Sequence, residues 1–204
     1  MFRDRDAALG RGEDPEPVLA RFREAKDALF RDHRQSPLSA DSRSASTGLL
    51  YFAYDPRLRI EATLAPIVSG ESIEAPASGP DAMPLQRAAT VDFALAGEPV
   101  RLTMFWIDVY GGGLFLPFRD ATCPAESYGA GRYLFDTVKG SGFEPDVAAA
   151  AHARGYGGGT VVLDFNYAYN PSCAYDPRWA CPLAPRENWI ALPIGAGERK
   201  FHDD

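Results

Sequence analysis

The chain has 204 residues and a mass of 22.2 kDa, 46% hydrophobic and 24% charged, which argues against global disorder and allows a core without disulfide or metal staples. Its net charge of −7, with no basic block, argues against nucleic acid or an anionic membrane as partner. No run approaches the roughly 20 apolar residues of a membrane span, and Met1 to Asp6 hold no apolar signal core, so a cytoplasmic location is expected.

Residues 1–13 are charged and aperiodic and read as a flexible N-terminal arm. Asp14-Pro15 is a helix start, with Asp as N-cap and Pro in the first turn. Val18, Phe22, Ala25 and Leu29 then form an apolar stripe, with Arg21, Arg23, Glu24, Lys26 and Asp27 off it, which predicts an amphipathic helix over about 15–33. Ser36-Pro37 ends it, and 39–47 reads as loop.

Beyond Asp55-Pro56 the period changes to two. Leu58, Ile60, Ala62 and Leu64 alternate with charged or polar residues. Residues 68–84 read as turns with one short strand near 71–76. Val91, Phe93 and Leu95, then Val100, Leu102, Met104 and Trp106, predict a hairpin around residues 96–99. Further strands are expected at Leu114–Phe118, Arg132–Asp136, Thr160–Phe165 and Trp189–Ile194, with a small helical insert at 138–159. About eight strands without βαβ alternation predict a mainly β single domain over 14–204, an antiparallel β-barrel or sandwich with an N-terminal amphipathic helix.

Histidines are few (His33, His152, His202), and none is placed like a catalytic imidazole. Three cysteines, Cys123, Cys173 and Cys181, lack zinc-knuckle spacing, so no metal site is assigned. Cys173 and Cys181 are open to three readings: buried free thiols, a disulfide, or a metal site, which would need two further ligands; a nucleophilic role would in addition need a cation such as Arg178 or Arg132.

Chemistry-bearing residues gather in 117–133 and 163–183, rich in Tyr, Asn, Asp and Arg, and such loops either face water or form a polar pocket. Asp120, Glu126 and Asp164 are candidates for a carboxylate set, as divalent-metal ligands or as general acid and base. The alternative is an Arg–carboxylate network with Arg119 and Arg132. Gly129-Ala130-Gly131 before Arg132 suits either a strained turn entering a strand or a backbone approach to an anion, although no helix or lysine follows as in a Walker loop. Tyr128, Tyr133, Asn166, Tyr169 and Asn170 complete the candidate binding set, with Tyr167 and Tyr175 as further pocket walls.

These segments resemble the DUF1684 family, a bacterial and archaeal family of unknown function. The resemblance rests on Pro117 to Asp120, Thr122, Glu126, Tyr128, Gly129 and Gly131 to Tyr133. It continues through Leu163 to Asn166, Ala168 to Pro171, Cys173 to Tyr175, Cys181 to Leu183, Pro185 and Asn188, and ends at Ala196-Gly197-Glu198. It spans about residues 20–201. The 138–159 insert is longer than is usual for the family, and Cys123 stands where the family more often has a small polar residue. The resemblance implies no activity or cofactor.

The leading expectation is binding of a small polar or anionic molecule in a pocket lined by 117–133 and 163–183, anchored by Arg132. The alternatives are a carboxylate-based hydrolase or lyase, with or without a divalent metal, and a structural protein whose motifs knit one end of the barrel. Cofactor and oligomeric state are not assigned.

Overall fold

The computed structural model describes residues 1–45, 47–67, 71–107, 113–136 and 159–202. Three helices precede the sheet: α1 (Phe2–Gly10), α2 (Pro15–Asp32) and α3 (Ala40–Ala45). The strands are β1 (Arg59–Pro66), β2 (Ser72–Ala75), β3 (Met83–Leu95), β4 (Glu98–Ile107), β5 (Gly113–Phe118), β6 (Arg132–Asp136) and β7 (Gly159–Asp164). They make one antiparallel sheet in the order β6-β5-β4-β3-β1-β7, with β2 also paired to β3.

The sheet curls. Strands β5 and β7 are four steps apart in this order, roughly 19 Å on a flat sheet at about 4.8 Å per step. Yet the rings of Phe118, at the end of β5, and Phe165, just past β7, lie 5.2 Å apart. The concave face is filled by the alternating residues of the sequence reading: Ala62 and Leu64, Val91 to Leu95, Leu102 and Met104, and Leu114 to Phe118. Its two edges meet at one point. Tyr133 of β6 and Tyr169 after β7 exchange backbone hydrogen bonds of 2.8 and 3.0 Å. The result is a curled half-barrel laced across its opening.

The hairpin forms where alternation placed it, with Ala96 (φ 52°) and Gly97 (φ 86°) as the two-residue turn. Helix α2 also forms as expected, and the Asp14 carboxylate accepts the Glu16 N–H at 3.2 Å. Its buried face differs. Val18, Leu19, Phe22 and Lys26 are buried, whereas Ala25 is exposed and Leu29 is 45% exposed. The face is turned toward Tyr167, whose ring meets Phe22 edge-on at 4.9 Å.

Three expectations are corrected. The arm at 1–13 contains α1, which docks by Phe2 on Phe22 at 5.0 Å and by Arg5 over the Tyr167 ring at 4.9 Å. The loop at 39–47 includes α3. Trp189–Ile194 is not a strand, although Ile190 and Ile194 are buried. Pro193 lacks an N–H, and the segment's bonds go to the turn after β5 instead: Ile190 N–H to the Arg119 carbonyl, and Ala121 N–H to the Leu192 carbonyl. The helical insert over 138–159 lies, but for its last residue, outside the described residues.

Candidate functional site

The first motif segment leaves β5 at Phe118 and turns back into β6 at Arg132. Asp120 organises that turn. Its Oδ1 accepts from the Thr122 N–H (2.9 Å), the Thr122 hydroxyl (2.7 Å) and the Ile194 N–H (3.0 Å), and its Oδ2 accepts from Arg132 Nη2 (2.8 Å). Arg132 is fully buried. Besides Asp120 it donates to the carbonyls of Ile194 (2.8 Å), Glu198 (3.0 Å) and Ala196, with its guanidinium over the rings of Phe52 and Phe118. It therefore ties the C-terminal segment across the open end of the half-barrel. The expectation of Arg132 as a ligand anchor gives way to this role.

A second buried knot adjoins it. The Glu198 carboxylate takes Lys26 Nζ of α2 and the Tyr175 hydroxyl, and accepts the Asn170 N–H at 2.8 Å. Burial and the Glu198 charge push the Tyr175 phenol well above its ordinary range, so it stays a donor. Asn170 also donates to the Arg199 carbonyl at 2.8 Å. Asn166 holds residue 55, accepting its N–H and donating to its carbonyl, both at 2.9 Å. Tyr133 packs edge-on against Phe115 at 4.7 Å and gives its hydroxyl to the Pro182 carbonyl. Lys26 Nζ lies 4.8 Å from the Tyr169 ring centroid.

The three candidate carboxylates do not assemble. Asp120 is buried with both oxygens engaged, and Glu126 is exposed. Asp164 sits at the end of β7, bonded to Asn166 and 3.7 Å from Arg59. Asp120 and Asp164 share no hydrogen-bond partner among the described residues, where no cluster of three or more His, Cys, Asp or Glu forms a metal site.

Burial raises the Asp164 carboxyl above 3.8, opposed by Asn166, Arg59 and Arg5. Its folded form thus holds a proton more tightly than the unfolded chain does. The contribution of Asp164 to stability should be fullest below pH 3.8 and fall as pH rises through the folded value. Asp164→Asn should remove that decline. Urea midpoints measured from pH 3.5 to 7 should show wild type losing ground to the variant as pH rises; parallel profiles would contradict this.

What the motif segments leave at the surface is a cleft of about 420 Å³, lined by Pro124, Ala125, Ser127, Tyr128, Gly129 and Ala130, by Ala174, and by Lys200, Phe201 and His202. Among the candidate binding residues Tyr128 lines it, and its hydroxyl lies 3.7 Å from Cys173 Sγ. The sequence carries no signal that places Lys200 and His202 here, because nothing local brings residues 200–202 to residues 124–130. The bond from the Lys200 N–H to the Glu126 carbonyl (3.0 Å) does so in the fold. Glu198 was visible only as part of the terminal motif; its partner Lys26 is 172 positions away.

The family described as "Protein of unknown function (DUF1684)" matches residues 45–199 of this chain. The chain belongs to DUF1684. It is similar over 98% of its length, and over 97% of the other chain, to an uncharacterized protein from Haloarcula marismortui solved by solution NMR, with 35% identity and a TM-score of 0.65. No curated protein matches it. The DUF1684 match takes in both motif segments and Glu198, hence Asp120, Arg132 and their carbonyl partners, and it stops one residue short of Lys200. No described helix is long and apolar enough to cross a membrane.

Proposed function

We propose that this domain binds a small polar or anionic molecule in the cleft between residues 124–130 and Lys200–His202. The observation that carries the reading is the meeting of the two motif segments and the C-terminal segment at one concavity. Asp120, Arg132 and Glu198 are engaged mainly with one another's segments in the interior, and the cleft is where the same segments reach solvent. An anion is favoured by the cationic residue Lys200 in the lining; separately, the backbone N–H groups of Gly129 and Ala130 donate to no protein acceptor among the described residues. Tyr128 adds an aromatic wall with a polar tip.

The test is a titration of uniformly ¹⁵N-labelled protein with inorganic phosphate and with a dicarboxylate such as succinate, followed by amide shifts. The amides of Gly129, Ala130 and Lys200 should move together and saturate, and Lys200→Glu should weaken the apparent affinity by about tenfold, the loss of one charge-assisted contact. Unmoved cleft amides at millimolar probe, or saturation unchanged by Lys200→Glu, would sink the proposal.

A further inference from the structure

Two motif cysteines lie beside the cleft and play no part in the binding proposed above. Cys173 is half-buried in the 3-10 turn Ser172–Ala174, and Cys181 is buried eight positions later. The backbone around Cys181 is pinned to the segment after β2. The Cys181 N–H donates to Ser78 Oγ at 2.9 Å, the Ser78 N–H to the Cys181 carbonyl at 3.0 Å, and the Leu183 N–H to the Pro76 carbonyl at 2.7 Å. Against that fixed sulfur the Cys173 N–H points directly, with 3.4 Å from nitrogen to Cys181 Sγ. The Tyr128 hydroxyl lies 3.7 Å from Cys173 Sγ.

This is a dithiol with a division of labour: one cysteine half-buried beside Tyr128, the other buried and held against it. Cys123 supplies a contrast within the same chain. It too is half-buried, but among the described residues its sulfur meets the Ser127 hydroxyl, at 3.1 Å, and no second thiol.

We propose that Cys173 and Cys181 form a peroxide-oxidisable pair, with Cys173 as the reacting thiol and Cys181 as the resolving one. In the first step the Cys173 thiolate sulfur attacks one oxygen of hydrogen peroxide. The O–O bond breaks, the departing hydroxide takes the proton released by the thiol, and water and a Cys173 sulfenic acid result. In the second step the Cys181 sulfur attacks Cys173 Sγ, the S–S bond forms, and the sulfenic hydroxyl leaves with the Cys181 proton as a second water. Two thiols and one peroxide thus become one disulfide and two waters: each sulfur loses one electron and each peroxide oxygen gains one.

The hydrogen bonds from Cys181, Ser78 and Tyr128 outweigh burial and lower the Cys173 thiol to about 6. At pH 6 about half of it is thiolate, against well under 1% for an ordinary thiol. Part of that gain is returned as lower intrinsic nucleophilicity, which leaves Cys173 about tenfold faster toward an alkylating agent than a cysteine of the urea-unfolded chain.

The experiment treats the intact protein at pH 6 with one equivalent of hydrogen peroxide, blocks free thiols with N-ethylmaleimide and maps peptides by mass spectrometry. Expected are a mass lower by two hydrogens, loss of labelling at Cys173 and Cys181 together, and retained labelling at Cys123. In Cys181→Ser a sulfenic acid should accumulate at Cys173 and be trapped by dimedone. Tyr128→Phe, which leaves both thiols in place, should move the pH midpoint of Cys173 alkylation upward. Oxidation that falls first on Cys123, a Cys173 no faster than the same residue in urea, or peroxide-treated protein with both thiols still labelled would each overturn the proposal.

Discussion

Replacing Arg132 by Met should cost the fold about 3–5 kcal/mol, the range for breaking a buried ion pair by removing one partner. The side chain has no solvent exposure, and neither has the side chain of Asp120 at 2.8 Å. The substitution leaves a carboxylate in the interior with backbone and hydroxyl donors but no opposite charge, and strips a donor from the carbonyls of Ile194, Ala196 and Glu198. A domain of this size is stable by about 5–15 kcal/mol, so the loss would take about a fifth or more of the total. The thermal midpoint should drop by about 8–15 °C. Arg132→Lys should recover only part of it, because an ammonium keeps the charge but not the planar fork that reaches four acceptors. The decisive measurement is a double-mutant cycle with Asp120→Asn, which preserves the acceptor for Thr122 and Ile194 while removing the charge. The double variant should be less damaged than the sum of the singles by about 2 kcal/mol. Additive losses would mean that the pair is incidental and that Arg132 stabilises through packing alone.

The same pair explains what could and could not be read from the chain. Period-two alternation is a local signal, so β1 and the β3–β4 hairpin follow directly from residues 58–64 and 91–106. Asp14-Pro15 is equally local, and α2 starts there. The face α2 buries is not local. Lys26 lies off the apolar stripe by residue type, yet it is buried because Glu198 arrives from the far end of the chain to meet it. Trp189–Ile194 shows the converse. Its alternation reports burial correctly at Ile190 and Ile194, but a strand needs a neighbour with free ladder groups, and this segment finds the turn at Arg119–Ala121. Of the candidate residues, Asp120 and Arg132 are brought together as the Arg–carboxylate alternative had it. Glu126 and Asp164 are not drawn in, since adjacency in a motif says nothing about which side of a curled sheet each carboxylate leaves.

Gly197→Ala should be nearly as damaging as the loss of Arg132, and its origin can be isolated. Gly197 has φ +75°, where an L side chain is strained by about 1–2 kcal/mol. A Cβ there would stand 2.4 Å from the Ala168 carbonyl oxygen and 2.8 Å from the Ala168 Cβ. That carbonyl is the acceptor for the Glu198 N–H at 2.9 Å, so the chain must shift at the point where Glu198 enters the interior. Overpacking of this kind adds about 1–3 kcal/mol. The expected total is about 2–5 kcal/mol, read from urea unfolding. Gly97→Ala is the matched control. Its φ is +86°, but nothing lies within 4 Å of the added carbon, so only the strain should appear. The two variants therefore separate backbone strain from close approach. If Gly197→Ala cost no more than Gly97→Ala, the passage of the chain beneath Ala168 would be looser than the structure has it. A clear excess at Gly197, accompanied by faster amide exchange at Asn170 and Glu198, would show that the glycine is what admits the carboxylate to Lys26 and Tyr175.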